Sequence, residues 1–212
     1  MINLLICDDH ALIRQGLKQV LADVPDIHVA AEAADGATAL QRVRQGGIDV
    51  VLLDIALPNR DGLDVLKQLR TDFPKVPVLI LSTYPEKQYA VRCLKLGAAG
   101  YLNKSADQDL LVGAIRKVAQ GGMYVSASTA ESLALALRHE SQAAPHEVLS
   151  AREYQVFVQI AAGNTLTQIA QNLSLSLNTV STYRARVLEK IAVNNDVELA
   201  LYAVRHQLVS LS

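Results

Sequence analysis

The chain has 212 residues, half of them hydrophobic and 19% charged, with a formal net charge of -1. Such a length suits one large domain or two modest ones with real cores, and the composition is ordinary for soluble globular protein. A charge this near zero excludes bulk attraction to nucleic acid or membrane, so any binding of that kind must rest on local arrangement. The two cysteines, Cys7 and Cys93, lie far apart in apolar segments and read as buried structural thiols of a reducing cytoplasm. His10, His28, His139, His146 and His206 show no ligand spacing, which argues against a zinc site. The amino terminus lacks a basic n-region and meets Asp8-Asp9 at once, unlike a signal peptide, and no apolar stretch reaches membrane-spanning length. A cytoplasmic protein with no membrane partner is expected.

Residues 3–7 form an apolar strand that ends at Asp8-Asp9, and Leu12, Ile13, Leu17, Val20 and Leu21 then recur at helical spacing until Pro25. The alternation repeats: strand 27–33 with helix 37–44, strand 50–53 with helix 63–69, strand 77–81 with helix 87–96, and strand 100–102 with helix 107–119. The run Val50-Val51-Leu52-Leu53 is apolar throughout, as a strand buried on both faces of a parallel sheet must be. Pro58 and Gly62 mark a turn after it, the proline lacking an amide hydrogen and the glycine tolerating positive φ. Five strand–helix units predict an α/β fold, a five-stranded doubly wound parallel sheet.

Open α/β sheets place their chemistry at the carboxyl ends of the strands. Here those ends carry Asp8 and Asp9, Asp54, Ser82 with Thr83, and Lys104. Three carboxylates on one edge repel unless a cation intervenes, and hard oxygen donors with room for water suit Mg²⁺. An aspartate can attack phosphorus to give an acyl phosphate, and the transferring group then needs positive charge and donors, which Lys104, Ser82 and the cation supply.

Cys7-Asp-Asp-His10, the stretch Leu52 to Gly62, Leu81-Ser-Thr83 and Gly97-Ala-Ala-Gly-Tyr-Leu-Asn-Lys104 together resemble the receiver domain of two-component response regulators, over residues 1–122. The resemblance implies a flavodoxin-like fold in which Asp54 takes a phosphoryl group from a cognate sensor histidine kinase, with Asp8, Asp9 and Asp54 around Mg²⁺. It makes Ser82 and Tyr101 the switch pair, Ser82 moving toward the phosphoryl oxygens and Tyr101 swinging inward behind it. Thr83 stands where relatives have a very small residue, and Ala56 where they often have a larger one, which bears on the lifetime of the acyl phosphate.

Residues 123–147 read as a linker with a short helix over 126–138, followed by a polar stretch containing Pro145. Ser150-Ala-Arg-Glu153 fits a capping box at the start of a helix that Gly163 ends. A helix over 167–173, a turn at 174–176 and a longer helix over 178–191 make a helix-turn-helix in a small all-α domain, 148–212. A last helix, 197–204, offers Val197, Leu201 and Val204 as an apolar stripe to pack the bundle and to dimerise.

Leu149 to Glu153, Ile169-Ala170 and Asn178 to Ile191 resemble the LuxR-type helix-turn-helix of the NarL/FixJ response regulators. Mapped residue by residue, that resemblance turns Ser181, Thr182 and Ala185 toward base edges of double-stranded DNA, and Arg184, Arg186 and Lys190 toward its backbone. Arg152, Arg184, Arg186, Lys190 and Arg205 face only Glu153, Glu189, Asp196 and Glu198 in opposition, so one domain binds weakly and two joined copies are needed. The expected function is a transcriptional regulator that dimerises when Asp54 is phosphorylated. The alternative is a phosphorylation-independent DNA-binding regulator whose receiver only dimerises. A phosphatase of the haloacid-dehalogenase type would need a second aspartate where Ala56 stands, so a switch that slowly loses its phosphoryl group is expected rather than a turnover enzyme.

Overall fold

The computed structural model describes residues 1–57, 62–84, 86–138, 144–173, 175–206 and 208–209. The turn expected at Pro58–Asp61, the polar stretch 139–143 and Ser174 lie outside them. The chain divides into two compact units, Met1–His139 and Glu140–Ser212.

In the first unit, strands β1 (Ile2–Cys7), β2 (Ile27–Ala33), β3 (Val50–Leu53), β4 (Val78–Ser82) and β5 (Gly100–Asn103) form one parallel sheet in the order β2-β1-β3-β4-β5. Helices α1 (Ala11–Ala22), α2 (Gly36–Arg44), α3 (Gly62–Asp72), α4 (Glu86–Lys95) and α5 (Gln108–Ala119) connect and follow the strands. Alternate strand residues Leu4, Ile6, Val50, Leu52, Leu79 and Leu81 pack with Leu111, Ile115 and Val118 of α5. Leu5, Val51, Leu53 and Ile80 are as deeply buried and, by the two-residue period of a strand, belong to the opposite face. All four residues of β3 are buried, which is why that run carries no polar alternation.

Register then sets what meets at the carboxyl edge. Cys7 pairs with Leu53 and Leu53 with Ile80, so Asp8 and Asp54 leave adjacent strands together, and the Asp54 amide donates to the Cys7 carbonyl at 2.9 Å. Ser82 pairs with Asn103, which brings Lys104 to the same edge. β4 begins at Val78 rather than at the expected Pro77 and extends through Ser82. Gly62 is needed for closeness rather than for a left-handed φ: a Cβ there would lie 2.4 Å from Ile55 Cα and 2.7 Å from the Asp54 carbonyl oxygen.

Residues 123–138, expected in the linker, are tied to the first unit. Tyr124 forms a parallel bridge with Gly100, and its amide donates to the Ala99 carbonyl at 2.8 Å. Gly100 permits this approach, because a Cβ there would stand 2.7 Å from the Tyr124 carbonyl oxygen. Helix α6 (Ala127–Arg138) follows, and its buried Thr129 hydroxyl donates to Glu86 Oε1 of α4 at 2.6 Å.

The second unit opens with a 3-10 turn at Pro145–Val148, where the His146 ring lies 2.9 Å from the Tyr202 hydroxyl. Helices α7 (Ala151–Ala161), α8 (Leu166–Asn172), α9 (Leu177–Ile191) and α10 (Asp196–Arg205) follow. The Ser150–Glu153 capping box forms, and Thr165 with Gln168 makes a second that the sequence reading did not include. Phe157, Ile169, Val180, Val187, Leu199 and Ala203 fill the core. The stripe expected to pack from α10 is corrected in part: Leu199 and Ala203 face inward, Val204 is half-buried, and Val197 is 70% and Leu201 53% exposed. The Asn195 cap and the inward pair one turn apart fix that helix's rotation.

Candidate functional site

The carboxyl edge of the first unit gathers Asp8, Asp54 and Lys104 into a buried ionic triad. Both aspartates are 2% exposed, and the Lys104 ammonium stands 2.6 Å from Asp8 Oδ2 and 2.7 Å from Asp54 Oδ2. The Lys104 amide donates to the Ser82 carbonyl at 2.8 Å, anchoring the base of its side chain, and the Ala56 amide donates to Asp54 Oδ1 at 3.0 Å. Burial pushes the Asp54 carboxyl upward against the opposing pull of Lys104 and the Ala56 amide. Burial also works against the charge on Lys104, but Asp54 and Asp8 outweigh it and hold the ammonium above its ordinary range. The lysine thus compensates two carboxylates that could not otherwise share a dry site.

Asp8, Asp9, His10 and Asp54 each present a donor atom, and these atoms lie within 4.8 Å of one another. Asp9 Oδ1 is buried and accepts no aligned hydrogen bond, although His10 Nδ1 stands 2.8 Å from it. A carboxylate oxygen left in that condition, beside two more carboxylates, fits a hard divalent cation that keeps some of its waters. Asp8, Asp9 and Asp54 would hold it. His10 was not among the residues expected here; its signal was only its place directly after the two aspartates.

Ser82 is fully buried, and its Oγ accepts the Tyr84 amide at 3.3 Å, leaving the hydroxyl hydrogen to donate elsewhere. Tyr101 is 1% exposed and its hydroxyl donates to the Tyr84 carbonyl at 2.9 Å, a carbonyl that also accepts from Asn103 Nδ2 at 3.2 Å. Burial raises the Tyr101 hydroxyl far above its usual titration, so it remains a donor. The ring expected to swing inward is already inward in this structure. Tyr84 in turn stacks on Tyr89 of α4, with centroids 4.8 Å apart. Thr83, whose position bears on the lifetime of an acyl phosphate, is exposed.

On α9 of the second unit, Ser181, Thr182, Ala185, Arg186 and Lys190 are exposed and Arg184 is partly buried. Asn178, Thr179, Thr182, Tyr183 and Arg186 line a concavity of about 310 Å³, of which the sequence reading named only Thr182 and Arg186. Two of the three cations assigned to a phosphate backbone have partners inside the unit. Arg184 Nε pairs with Asp196 Oδ1 at 2.7 Å, and Lys190 Nζ with the buried Glu153 Oε2 at 2.6 Å. The Thr182 hydroxyl donates to the Asn178 carbonyl at 2.9 Å.

The family model of the response regulator receiver domain matches residues 4–116, and that of the bacterial regulatory proteins of the luxR family matches residues 147–203. The response regulator GacA of Pseudomonas viridiflava is 38% identical over 213 residues, covering 100% of both chains. The crystal structure of the response regulator ChrA, from a heme-sensing two-component system, aligns with 98% of each chain at 32% identity and a TM-score of 0.53. RcsB of Salmonella typhimurium shares the fold, with a TM-score of 0.60 at 24% identity over 96% of this chain and 100% of its own.

Proposed function

The chain belongs to the response regulators that join a receiver domain to a luxR-family regulatory domain, and from that premise we propose that Asp54 is the phosphoryl acceptor and α9 the DNA-reading helix. The carrying observation is the Asp8–Lys104–Asp54 triad, buried beside a third carboxylate, Asp9, whose Oδ1 accepts no aligned hydrogen bond.

In this reading a carboxylate oxygen of Asp54 attacks the phosphorus of a phosphohistidine on a sensor kinase. The phosphorus–nitrogen bond breaks, and its electron pair stays with the imidazole. Lys104 exchanges its contact with Asp54 for one with a phosphoryl oxygen, and the Ser82 hydroxyl donates to another. Mg²⁺, held by Asp8, Asp9 and Asp54, would supply charge neutralisation at the phosphoryl oxygens. As Ser82 turns its hydrogen to phosphate, its contact with the Tyr84 amide is altered, and Tyr101 and Asn103 hold the far side of that same residue. The phosphate therefore biases the β4–α4 connection between two arrangements, to the extent that it binds them differently. Ala56, two residues past the acceptor, gives no acid for rapid hydrolysis, so the protein acts as a switch that loses its phosphoryl group slowly.

Ser181, Thr182 and Ala185 face base edges in this proposal, and Arg186 supplies a phosphate contact; Arg184 and Lys190 reach the backbone only by leaving Asp196 and Glu153. With so few cations available, two copies on two half-sites are required, which makes the phosphorylated protein a homodimer. No helix among the described residues is long and apolar enough to cross a membrane, and we place the protein in the cytoplasm.

The test is molar mass by light scattering and duplex binding by fluorescence anisotropy, with and without a small phosphodonor and Mg²⁺, on wild type and Asp54→Ala. One phosphoryl group per chain, dimerisation and tighter DNA binding are expected in wild type alone. Equal DNA affinity with and without confirmed phosphorylation would instead make the receiver a constitutive dimerisation module.

A further inference from the structure

The acidic pocket contains a nitrogen that the phosphoryl-transfer chemistry does not use. His10 Nδ1 lies 2.8 Å from Asp9 Oδ1 and 3.1 Å from Asp8 Oδ1. Two donors bound to one octahedral cation at about 2.1 Å each, at right angles, are themselves about 3 Å apart. The His10 distances are those of the hydrogen bond between Nδ1 and Asp8 Oδ1 and of a close pair with Asp9 Oδ1; a cation that took the place of the shared hydrogen would find the nitrogen and both oxygens at the spacing of neighbouring ligands around a single ion.

The local backbone explains why the ring is there. His10 occupies the N-cap position of α1, yet its side chain makes no capping hydrogen bond. Its amide donates to Asp8 Oδ1 at 2.8 Å, a turn that folds the ring back over the carboxylates. Arg14 steadies the start of that turn by donating to the Asp8 carbonyl at 2.7 Å. Asp9 Oδ1 pairs with Nδ1 at 2.8 Å without an aligned hydrogen bond, the hydrogen bond of Nδ1 being the one to Asp8 Oδ1. The remainder of the ring is open to solvent, the side chain being 62% exposed, so a hydrated ion can approach it.

We propose that His10 is a fourth ligand of the cation site, contributing Nδ1 beside Asp8, Asp9 and Asp54, and that it shifts the site's preference from Mg²⁺ toward cations that accept imidazole. The inference rests on the reading of these aspartates as a cation site. Mg²⁺ demands oxygen donors and gives up water reluctantly, so a nitrogen adds little to its binding. Ni²⁺ binds imidazole well and stands higher in the divalent affinity order, so the same nitrogen adds much to its binding. His10 is in this sense a specificity-determining residue, not one that touches the transferring phosphoryl group.

The experiment is calorimetric titration of the full chain with Mg²⁺ and, separately, Ni²⁺, for wild type, His10→Ala and Asp9→Asn. Pulsed electron spin resonance of the Mn²⁺-loaded protein supplies a direct signature of bound nitrogen. Since even an outer-shell partner of a metal site is worth about 10–100-fold in affinity, His10→Ala should lose at least about tenfold for Ni²⁺. Mg²⁺ affinity should change much less, and the nitrogen modulation of the Mn²⁺ signal should vanish. The Ni²⁺ event must also weaken in Asp9→Asn, which assigns it to this pocket rather than to another histidine. Equal losses for Mg²⁺ and Ni²⁺, or Mn²⁺ uptake without nitrogen modulation in wild type, would overturn the role of His10 while leaving the aspartate site intact. Absence of any metal uptake in wild type would overturn the cation site itself.

Discussion

Replacing Lys190 with methionine should loosen the helical unit while sparing the sheet unit. Glu153 Oε2 accepts the Ser150 amide at 2.7 Å and the Lys190 ammonium at 2.6 Å, which joins the first turn of α7 to the last turn of α9. Removing one partner of a fully buried pair costs about 3–5 kcal/mol, because the other charge is left in a dry site. The Glu153 side chain is 4% exposed but that of Lys190 is 38%, so water screens one end and the cost must be discounted toward the ~0–1 kcal/mol of a surface pair. About 2 kcal/mol remains, a roughly 30-fold rise in the opening equilibrium. Methionine keeps the packing of the aliphatic stem, so the charge is what is tested. Hydrogen exchange followed by mass spectrometry on the full chain should show that loss in peptides of α7 and α9 and no change in β1 to β5. Adding Glu153→Gln should recover much of it, since a neutral amide does not need the cation. Lys190→Met protection within twofold of wild type, or a double variant no better than the single, would refute the assignment of Glu153 as a buried charge held by Lys190.

The same contact predicts an acid response. Glu153 would be raised by its burial, but Lys190 and the Ser150 amide bring it below its ordinary 4.5, so its contribution is complete above pH 4.5 and disappears as pH falls through the lower folded value. Exchange protection of α7 should fall across that acid window in wild type and stay flatter in Glu153→Gln. Thr129→Val removes the hydroxyl that donates to Glu86 and should cost about 1–2 kcal/mol, read as faster exchange in α6 with β3 unchanged. Arg186→Ala should reduce the slope of log DNA affinity against log salt by about 1 and weaken all duplexes alike, whereas Ala185→Ser should change the ranking of sequences with the slope unaltered. Slope and ranking can both be measured by anisotropy across a salt series.

Much of the sheet and its polar edge was legible because each rests on short-range pattern. The apolar run at 50–53 announces a strand with two covered faces, and once strands are parallel, Asp8, Asp54, Ser82 and Lys104 at their ends must share an edge. What escaped was set by contacts between residues distant in the chain. Lys190 and Glu153 are separated by 37 residues, and nothing in the periodicity of α9 reveals that its lysine is engaged. The rotation of α10 follows from its cap and from Leu199 and Ala203 turning inward, so the stripe through Val197 and Leu201 fell on the exposed side. Gly62 looks like a turn residue in the sequence and Gly100 like an ordinary strand start, but each is required by a second segment passing within touching distance. His10 was overlooked because an exposed ring at a helix start has no sequence mark separating capping from ligation.

The seam between Tyr124 and Gly100 matters to anyone who would rebuild this protein. A fusion that grafted a foreign output module at residue 122 would discard the strand-like contact and the Thr129–Glu86 tie, leaving an uncovered flank on α4. A splice placed after α6, at residue 138, carries both along and keeps the receiver unit whole. The natural cutting point for modular transplantation is thus a full helix later than the periodic strand–helix pattern suggests.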